Sequence, residues 1–253
     1  MKFVLEKEVE KTRFVLQKKN VKNIKAHVVI DLDVSGSTSD LYNSGLFQKA
    51  FQRILPVGIL FDDNQEIDVY TFNNDHNFAH VQPNATANNF DDYISRFILN
   101  NRNVPKWGGT DYVPVLKANL EEFGFYKSAE KKSFFGLISK KSREKTLTEN
   151  STTGYPVIIY FITDGQNSDT HETVELLEEC KQNNVNAYIQ FIGVGDANFG
   201  FIQHLALDLE NVGFAHLRDF EKIVDSDGFT DIILNDELCN YLRNQKETDQ
   251  VGA

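Results

Sequence analysis

Three residues with oxygen-bearing side chains stand at alternate positions in one short segment: Asp33, Ser35 and Ser37. The segment directly follows residues 26–32, an apolar run typical of a buried strand. Side chains that leave one loop at the end of a strand can converge on a single point. Carboxylate and hydroxyl oxygens are the hard ligands that small divalent cations prefer. The same residue types are also common in turns, so the segment alone is equally compatible with a capped turn between a strand and a helix.

Two more motifs lie where a metal site of this kind would need them. Residues 107–111, Trp-Gly-Gly-Thr-Asp, directly precede a predicted helix, and residues 161–165, Phe-Ile-Thr-Asp-Gly, come at the end of a predicted strand. With these motifs the chain resembles the von Willebrand factor A (vWA) family, whose metal-ion-dependent adhesion site is written Asp-x-Ser-x-Ser, then a distant Thr, then a distant Asp. Every position of that motif is filled in the right order, by Asp33, Ser35, Ser37, Thr110 and Asp164.

The resemblance implies how these side chains would hold an ion. Ser35 and Ser37 would bind the metal directly, Thr110 would do so directly or through a water, and the two aspartates would bind it or order its waters. The implied ion is Mg²⁺, with Mn²⁺ and Ca²⁺ as alternatives, and a sixth coordination position stays open. An acidic side chain of a protein partner commonly fills that position in this family. Because two protein carboxylates only balance a divalent charge, a third anion is favourable there.

The resemblance also indicates a partner-binding surface and a cellular setting. Trp107 and Gly109 are expected at that surface, with a Trp107 half buried against the following helix as the alternative. Within the family, the chain looks most like the intracellular bacterial group associated with tellurium resistance, the TerF-like group. The implied function is therefore a metal-dependent protein-binding module, connected with tellurium resistance or a stress response, that has no catalytic residue.

Two other functions are compatible with parts of the same segment. It also resembles the Asp-x-Asp opening of the haloacid dehalogenase phosphatases, with Asp31 as nucleophile and Asp33 as general acid/base. That family requires Thr or Val two residues after the second aspartate, where this chain has Ser35. It also leaves Ser37 and the Gly-Gly-Thr motif without a role. The second alternative is a scaffold domain with a vacant metal site, which the presence of all five motif residues disfavours.

The motifs need a sheet whose strands end at one edge. Three apolar runs, 26–32, 157–162 and 187–194, predict buried strands of a parallel sheet. They alternate with helical patterns, which predicts an α/β fold, doubly wound, with a mostly parallel central sheet flanked by helices on both faces. Ligands bind such sheets at the carboxyl ends of the strands, where the motif residues fall. The remaining predicted elements are helices at 41–60 (ended or kinked by Pro56), 90–99, 112–123 and 173–182, and strands at 67–72 and 78–82 joined by the turn 73–77.

One main domain with two attachments is expected. Residues 1–23 predict an N-terminal helical extension, and the main domain spans 24–253 and ends in a C-terminal helix at about 233–246. A basic insertion interrupts the domain at about 127–154. Its residues 127–145 include seven basic side chains against two acidic ones, a local balance of +5. This composition predicts a mobile basic arm, the alternative being a structural element whose apolar residues are buried in the core.

Composition narrows the class of partner. A formal net charge of −11 opposes nucleic-acid binding, because neutralising phosphates requires clustered Lys and Arg. Charged residues interrupt the apolar stretch at the N-terminus, unlike a signal peptide, and no apolar run reaches the length of a membrane span. The two cysteines, Cys180 and Cys239, have no metal-ligand spacing and are expected to be reduced thiols. We therefore expect a cytoplasmic protein without a membrane or nucleic-acid partner.

Overall fold

The computed structural model describes residues 4–21, 24–74, 78–128 and 145–245. Strands and helices alternate along these ranges. The strands are β1 (His27–Asp33), β2 (Ile67–Phe72), β3 (Phe78–Ala85), β4 (Tyr126–Ser128), β5 (Lys145–Leu147), β6 (Val157–Thr163), β7 (Ala187–Val194) and β8 (Val212–Leu217). The α-helices are α1 (Leu5–Lys18), α2 (Ser39–Asn43), α3 (Leu46–Phe61), α4 (Val113–Glu122), α5 (Thr170–Gln182), α6 (Gly200–Asp208), α7 (Phe220–Val224), α8 (Phe229–Ile233) and α9 (Asp236–Arg243), and a short π-helix spans Ile94–Leu99. None of these helices is long and apolar enough to cross a membrane.

Six of the described strands form one sheet in the order β3-β2-β1-β6-β7-β8. Only the β2–β3 pair within it is antiparallel, and the other neighbours are parallel. The central strands β1, β6 and β7 are buried almost throughout, which explains why their sequences are mostly apolar rather than alternating. The predicted α/β fold with a mostly parallel sheet flanked by helices is confirmed.

Apolar side chains pack on both faces of this sheet. Successive strand residues point to opposite faces, so Val28 and Ile30 contribute to one layer of the core and Val29 to the other. The first layer is completed by α1, α3, α8 and α9, and the second by α4, α5 and α6. Packing on both faces fixes the sheet, so the strand ends have fixed relative positions.

The strand registers bring three loops to the same edge. β1 runs parallel to β6 with Leu32 opposite Ile162, and parallel to β2 with Asp33 opposite Phe72. The loops that follow β1, β2 and β6 therefore begin side by side at the carboxyl edge of the sheet.

The helix predicted at 41–60 is in fact two helices. Gly45, with a φ of 78°, adopts the left-handed conformation between α2 and α3, which glycine adopts at less cost than residues with a Cβ. Pro56 was predicted to end or kink the helix; it does not end α3, which continues to Phe61. Its neighbours Leu55 and Val57 are fully buried, so packing outweighs the hydrogen bond that proline removes.

The region expected as an N-terminal extension, 1–23, contains α1, which packs against α3. Glu8 of α1 and Arg53 of α3 form an ion pair with an N–O distance of 3.3 Å, and both side chains are nearly buried. Arg53 also donates a hydrogen bond to the Ser226 carbonyl at 2.6 Å. A polar contact as well as apolar burial therefore joins α1 to the body.

The described part of the region expected as a basic insertion packs on the body. β4 and β5 form an antiparallel pair, and Leu147 is buried in the second core layer. Beyond them, the Thr152 amide donates to the Phe123 carbonyl at 2.8 Å. Residues 129–144, which hold most of the expected mobile arm and its apolar residues 134–138, lie outside the described residues.

Candidate metal centre

Asp33 is the last residue of β1, and its side chain is fully buried. Its Oδ1 accepts a hydrogen bond from the Ser35 amide at 2.8 Å, which closes the turn after the strand. Its Oδ2 accepts a hydrogen bond from the Thr163 hydroxyl at 2.6 Å, across to β6. The carboxylate is therefore fixed in orientation from two sides.

The two serine hydroxyls and Asp164 form a row of closely spaced oxygens. Ser37 Oγ donates to Asp164 Oδ1 at 2.8 Å, and the Oγ atoms of Ser35 and Ser37 lie 3.2 Å apart. In an octahedral site with metal–oxygen distances of about 2.1 Å, adjacent oxygens lie about 3 Å apart. The observed spacing therefore fits neighbouring positions around one small ion. Ser37 is exposed, so the row opens to solvent.

Burial dominates the electrostatics of the two carboxyl groups. It raises the pKa of Asp33 to about 6, although hydrogen bonds from Ser35 and Thr163 act in the opposite direction. It also raises the pKa of Asp164, against a hydrogen bond from Ser37. A raised pKa means that the charged form is disfavoured where no positive charge offsets it. A divalent cation beside both groups supplies that charge, so the donor set and its electrostatics both fit a metal.

Thr110 lies on the loop before α4, next to this oxygen row. A strand-like bridge joins Ser35 to Gly108, and the Gly36 amide donates to the Gly108 carbonyl at 2.8 Å. Thr110 is nearly buried, and its carbonyl accepts the Ser168 amide at 2.8 Å. The loop is thus held between the loops that follow β1 and β6. The structure brings four predicted ligands into one hydrogen-bonded group, with the fifth on the adjoining loop: Asp33, Ser35, Ser37 and Asp164, then Thr110.

The two residues expected at a partner surface have different surroundings. Trp107 is 42% exposed, and its ring edge contacts Tyr42 with centroids 5.8 Å apart. Its amide donates to the Val34 carbonyl at 2.6 Å, which holds it in a left-handed backbone conformation with a φ of 69°. The indole is therefore supported on one side and open to solvent on the other. Gly109, in contrast, faces Asn74, whose Oδ1 accepts its amide at 2.5 Å.

Sequence reasoning missed the side chains that hold these loops in place. Asp169 accepts the amides of Tyr112 and Val113, at 2.9 and 2.8 Å, and so caps the N-terminus of α4 from the loop after β6. Asn74 holds Gly109 in the same way from the loop after β2. Asp169 and Asn74 each follow the carboxyl end of a strand, and that position could have marked them as candidates in the sequence. Their hydrogen-bond partners, however, lie 57 and 35 positions away.

Asp31, the proposed nucleophile of the phosphatase alternative, does not reach the edge. Its side chain is fully buried beneath α4, where its Oδ2 accepts the Asn119 amide group at 2.7 Å. Burial raises its pKa to about 8, against that hydrogen bond. A nucleophile must contact its substrate, so this position opposes the phosphatase alternative. Across the described ranges no three His, Cys, Asp or Glu residues are grouped to hold a metal; the candidate centre combines two carboxylates with hydroxyls instead.

A mostly parallel sheet covered on both faces, with serine and aspartate side chains gathered where its central strands end, is the arrangement expected of a vWA-type domain. A family model described as vWA-TerF-like, the vWA domain found in the C terminus of TerF, matches residues 25–251. The chain belongs to this family, and its resemblance to the TerF-like group is confirmed. Members of the vWA family bind metal and mediate protein interactions, and they are generally interaction modules rather than enzymes.

The chain is also similar to individual proteins of known sequence or structure. It is 29% identical over 239 residues to the uncharacterized protein YcbR of Bacillus subtilis (strain 168). This match covers 93% of the present chain and 85% of YcbR. A von Willebrand factor type A structure from Catenulispora acidiphila matches with a TM-score of 0.53 at 13% identity, over 85% of this chain and 43% of that one. The proximal thread matrix protein 1 of the mussel byssus, solved with a zinc-occupied adhesion-site motif, matches with a TM-score of 0.48 at 18% identity, over 86% and 46%. The chain spans under half the length of either solved chain.

Proposed function

We propose that this protein is a metal-dependent protein-binding module of the cytoplasm that binds one Mg²⁺ at the carboxyl edge of its sheet. The observation that carries the proposal is the oxygen row of Ser35, Ser37 and Asp164, with neighbours 3.2 and 2.8 Å apart. When bound, the ion supplies a positive centre with an open coordination position. Mn²⁺ and Ca²⁺ are the alternative ions. The proposed ligand set is Asp33, Ser35, Ser37, Thr110 and Asp164.

Each proposed ligand has a separate task. Ser35 and Ser37 bind the ion directly, and Thr110 does so directly or through a water. Asp33 and Asp164 balance its charge, and they bind it or order its waters. The exposed Ser37 side of the row leaves room for an acidic side chain from a protein partner. Trp107, open to solvent beside the row, offers that partner an aromatic contact.

Separate observations support three parts of this proposal: interaction rather than catalysis, a partner other than nucleic acid, and the cellular setting. Asp31, the enzyme-like candidate, is buried and hydrogen-bonded to Asn119. The net charge of −11 opposes a nucleic-acid partner. The TerF name of the matching family model supports a setting in tellurium resistance or a stress response.

Calorimetric titration with Mg²⁺ tests the metal site. Asp33→Ala should abolish binding because it removes a charge that offsets the cation. Thr110→Ala removes one neutral oxygen and should only weaken binding, with an unchanged circular dichroism spectrum. Asp63→Ala is the matched control, because it removes an exposed carboxylate at the opposite end of the sheet and should bind as the unaltered protein does. Equal affinity for all four proteins would refute the site.

A pull-down from native lysate, with Mg²⁺ or with EDTA, tests the partner. Association should be lost in EDTA and reduced by Thr110→Ala, and it should weaken as the pH falls, because protons compete with the ion for Asp33, whose pKa is raised to about 6, and then protonate the partner carboxyl near its ordinary pKa of about 4. Association that survives EDTA, Thr110→Ala and Asp33→Ala would mean that the binding surface lies elsewhere. Phosphatase turnover that disappears in Asp31→Asn but persists in Ser37→Ala would overturn the proposal in favour of an enzyme.

A further inference from the structure

Asn74 follows the end of β2 and reaches the loop that carries Thr110. Its backbone amide donates to the Gly109 carbonyl at 3.0 Å, and its side-chain Oδ1 accepts the Gly109 amide at 2.5 Å. Both backbone polar groups of Gly109 are therefore bonded to one residue. Because a two-point contact fixes both the position and the rotation of a peptide segment, Asn74 acts as a clamp on this loop.

The Asn74 clamp also explains why the loop has two consecutive glycines. A Cβ built on Gly109 would lie 2.7 Å from Asn74 Cγ and 2.8 Å from its Nδ2, and one on Gly108 would lie 2.9 Å from Asn74 Oδ1. Neither glycine has a positive φ, so backbone conformation does not require them. A side chain at either glycine would therefore displace the Asn74 carboxamide from the position in which it bonds to Gly109.

The clamp holds Thr110 from one side while a second contact holds it from the other. Thr110 directly follows Gly109, and its own carbonyl accepts the Ser168 amide at 2.8 Å. We infer that Asn74 is a positioning residue of the metal centre, which fixes the Thr110 loop before the ion binds. The inference rests on the proposed metal site. Ordering a loop costs conformational free energy, and a loop ordered during folding does not subtract that cost from the metal affinity.

The first test is the Mg²⁺ affinity and the amide exchange of Asn74→Ala. Loss of a hydrogen bond between neutral groups should weaken Mg²⁺ binding about 3- to 10-fold. Without metal, the Gly109 amide should exchange with solvent faster than in the unaltered protein. The melting temperature should fall by no more than a few degrees, because the lost side-chain bond contributes about 0.5–1.5 kcal/mol. Asn64→Ala is the matched control: Asn64 Oδ1 also accepts a backbone amide, that of Glu66 at 2.8 Å, but at the other end of β2, and this variant should bind Mg²⁺ normally.

A double-mutant cycle with Gly109→Ala separates a positioning role from a general structural one. In the unaltered protein, Gly109→Ala should weaken Mg²⁺ binding because the new Cβ displaces the Asn74 carboxamide. In the Asn74→Ala background the same change should have little further effect, because the three atoms nearest to that Cβ all belong to the Asn74 side chain.

The outcomes distinguish the clamp from the metal site itself. If Asp33→Ala abolishes Mg²⁺ binding while Asn74→Ala binds with the unaltered affinity, the clamp is refuted and the metal site stands. Fully additive effects of Asn74→Ala and Gly109→Ala would also refute the clamp. If Mg²⁺ binding survives Asp33→Ala, the metal site fails, and the inference about Asn74 fails with it.

Discussion

Replacing Glu8 with alanine tests how α1 is held on the domain. The Glu8–Arg53 pair, at 3.3 Å, joins α1 to α3 with side chains only 11% and 10% exposed. Removing one partner of a buried pair leaves an uncompensated charge, which costs about 3–5 kcal/mol. Arg53 keeps its bond to the Ser226 carbonyl and lies 5.7 Å from the centre of the Phe229 ring. These contacts place the expected loss at the lower end of the range, about 3 kcal/mol.

Urea and thermal denaturation followed by circular dichroism measure this loss. For a chain of this length 1 kcal/mol corresponds to about 2–4 °C, so the melting temperature of Glu8→Ala should fall by about 6–12 °C. Glu10→Ala on the same helix is the control, because its pair with Arg13, at 3.5 Å, is 72% and 52% exposed. Such exposed pairs contribute about 0–1 kcal/mol. Equal small losses for Glu8→Ala and Glu10→Ala would refute the argument that burial of the pair decides how α1 is held.

Two other predictions concern the sheet and the metal edge. The Asp68 side chain, 3.0 Å from His80, raises the pKa of that histidine against the opposing effect of burial. The Asp68–His80 pair therefore stabilises the fold fully below the ordinary histidine pKa, and this stabilisation is lost as the pH rises through the raised pKa of His80. His80→Gln should therefore lose more stability against urea at about pH 5.5 than at about pH 8.5, and an equal loss at both would contradict the assignment. Thr163→Val keeps the side-chain shape but removes the 2.6 Å hydrogen bond to Asp33. This variant should destabilise the metal-free domain by about 1.5–3 kcal/mol at neutral pH. A loss below about 0.5 kcal/mol would show that the bond does not hold the carboxylate.

The central sheet could be predicted because strands that are buried on both faces have mostly apolar sequences. β1, β6 and β7 are mostly apolar along their whole length, interrupted only by single polar residues such as Asp31 and Gln190. β8 was missed because it lies at the edge of the sheet, where only part of its residues are buried and a glycine and a histidine interrupt the apolar pattern. The helix predicted at 90–99 is shorter in the structure, Ile94–Leu99, since the residues before it form turns.

The candidate ligands could be located because parallel strands end at one edge, so motifs far apart in sequence meet there. The residues that hold the ligands in place could not be located in the same way. Thr163 bonds to Asp33 across 130 positions, and Asn74 bonds to Gly109 across 35. Neither contact has a local sequence pattern, because each depends on strand register and loop path. The β4–β5 pair, which ties part of the expected insertion to the body, also joins residues that are distant in sequence.

These long-range contacts bear on which ion the centre suits. The Thr163 hydroxyl fixes Asp33, and the Ser168 amide and Asn74 hold the Thr110 loop, so protein contacts rather than the ion set much of the geometry. Adjacent oxygens lie about 3 Å apart around Mg²⁺ but about 3.4 Å apart around an ion with metal–oxygen distances of about 2.4 Å, such as Ca²⁺. The separations of 2.8 and 3.2 Å in the serine and Asp164 row are hydrogen-bond distances, and binding Mg²⁺ would require smaller movements of these oxygens than binding Ca²⁺. Because Ca²⁺ would require the larger movement of oxygens on loops that are bonded to neighbouring strands, we propose Mg²⁺ rather than Ca²⁺ for this centre.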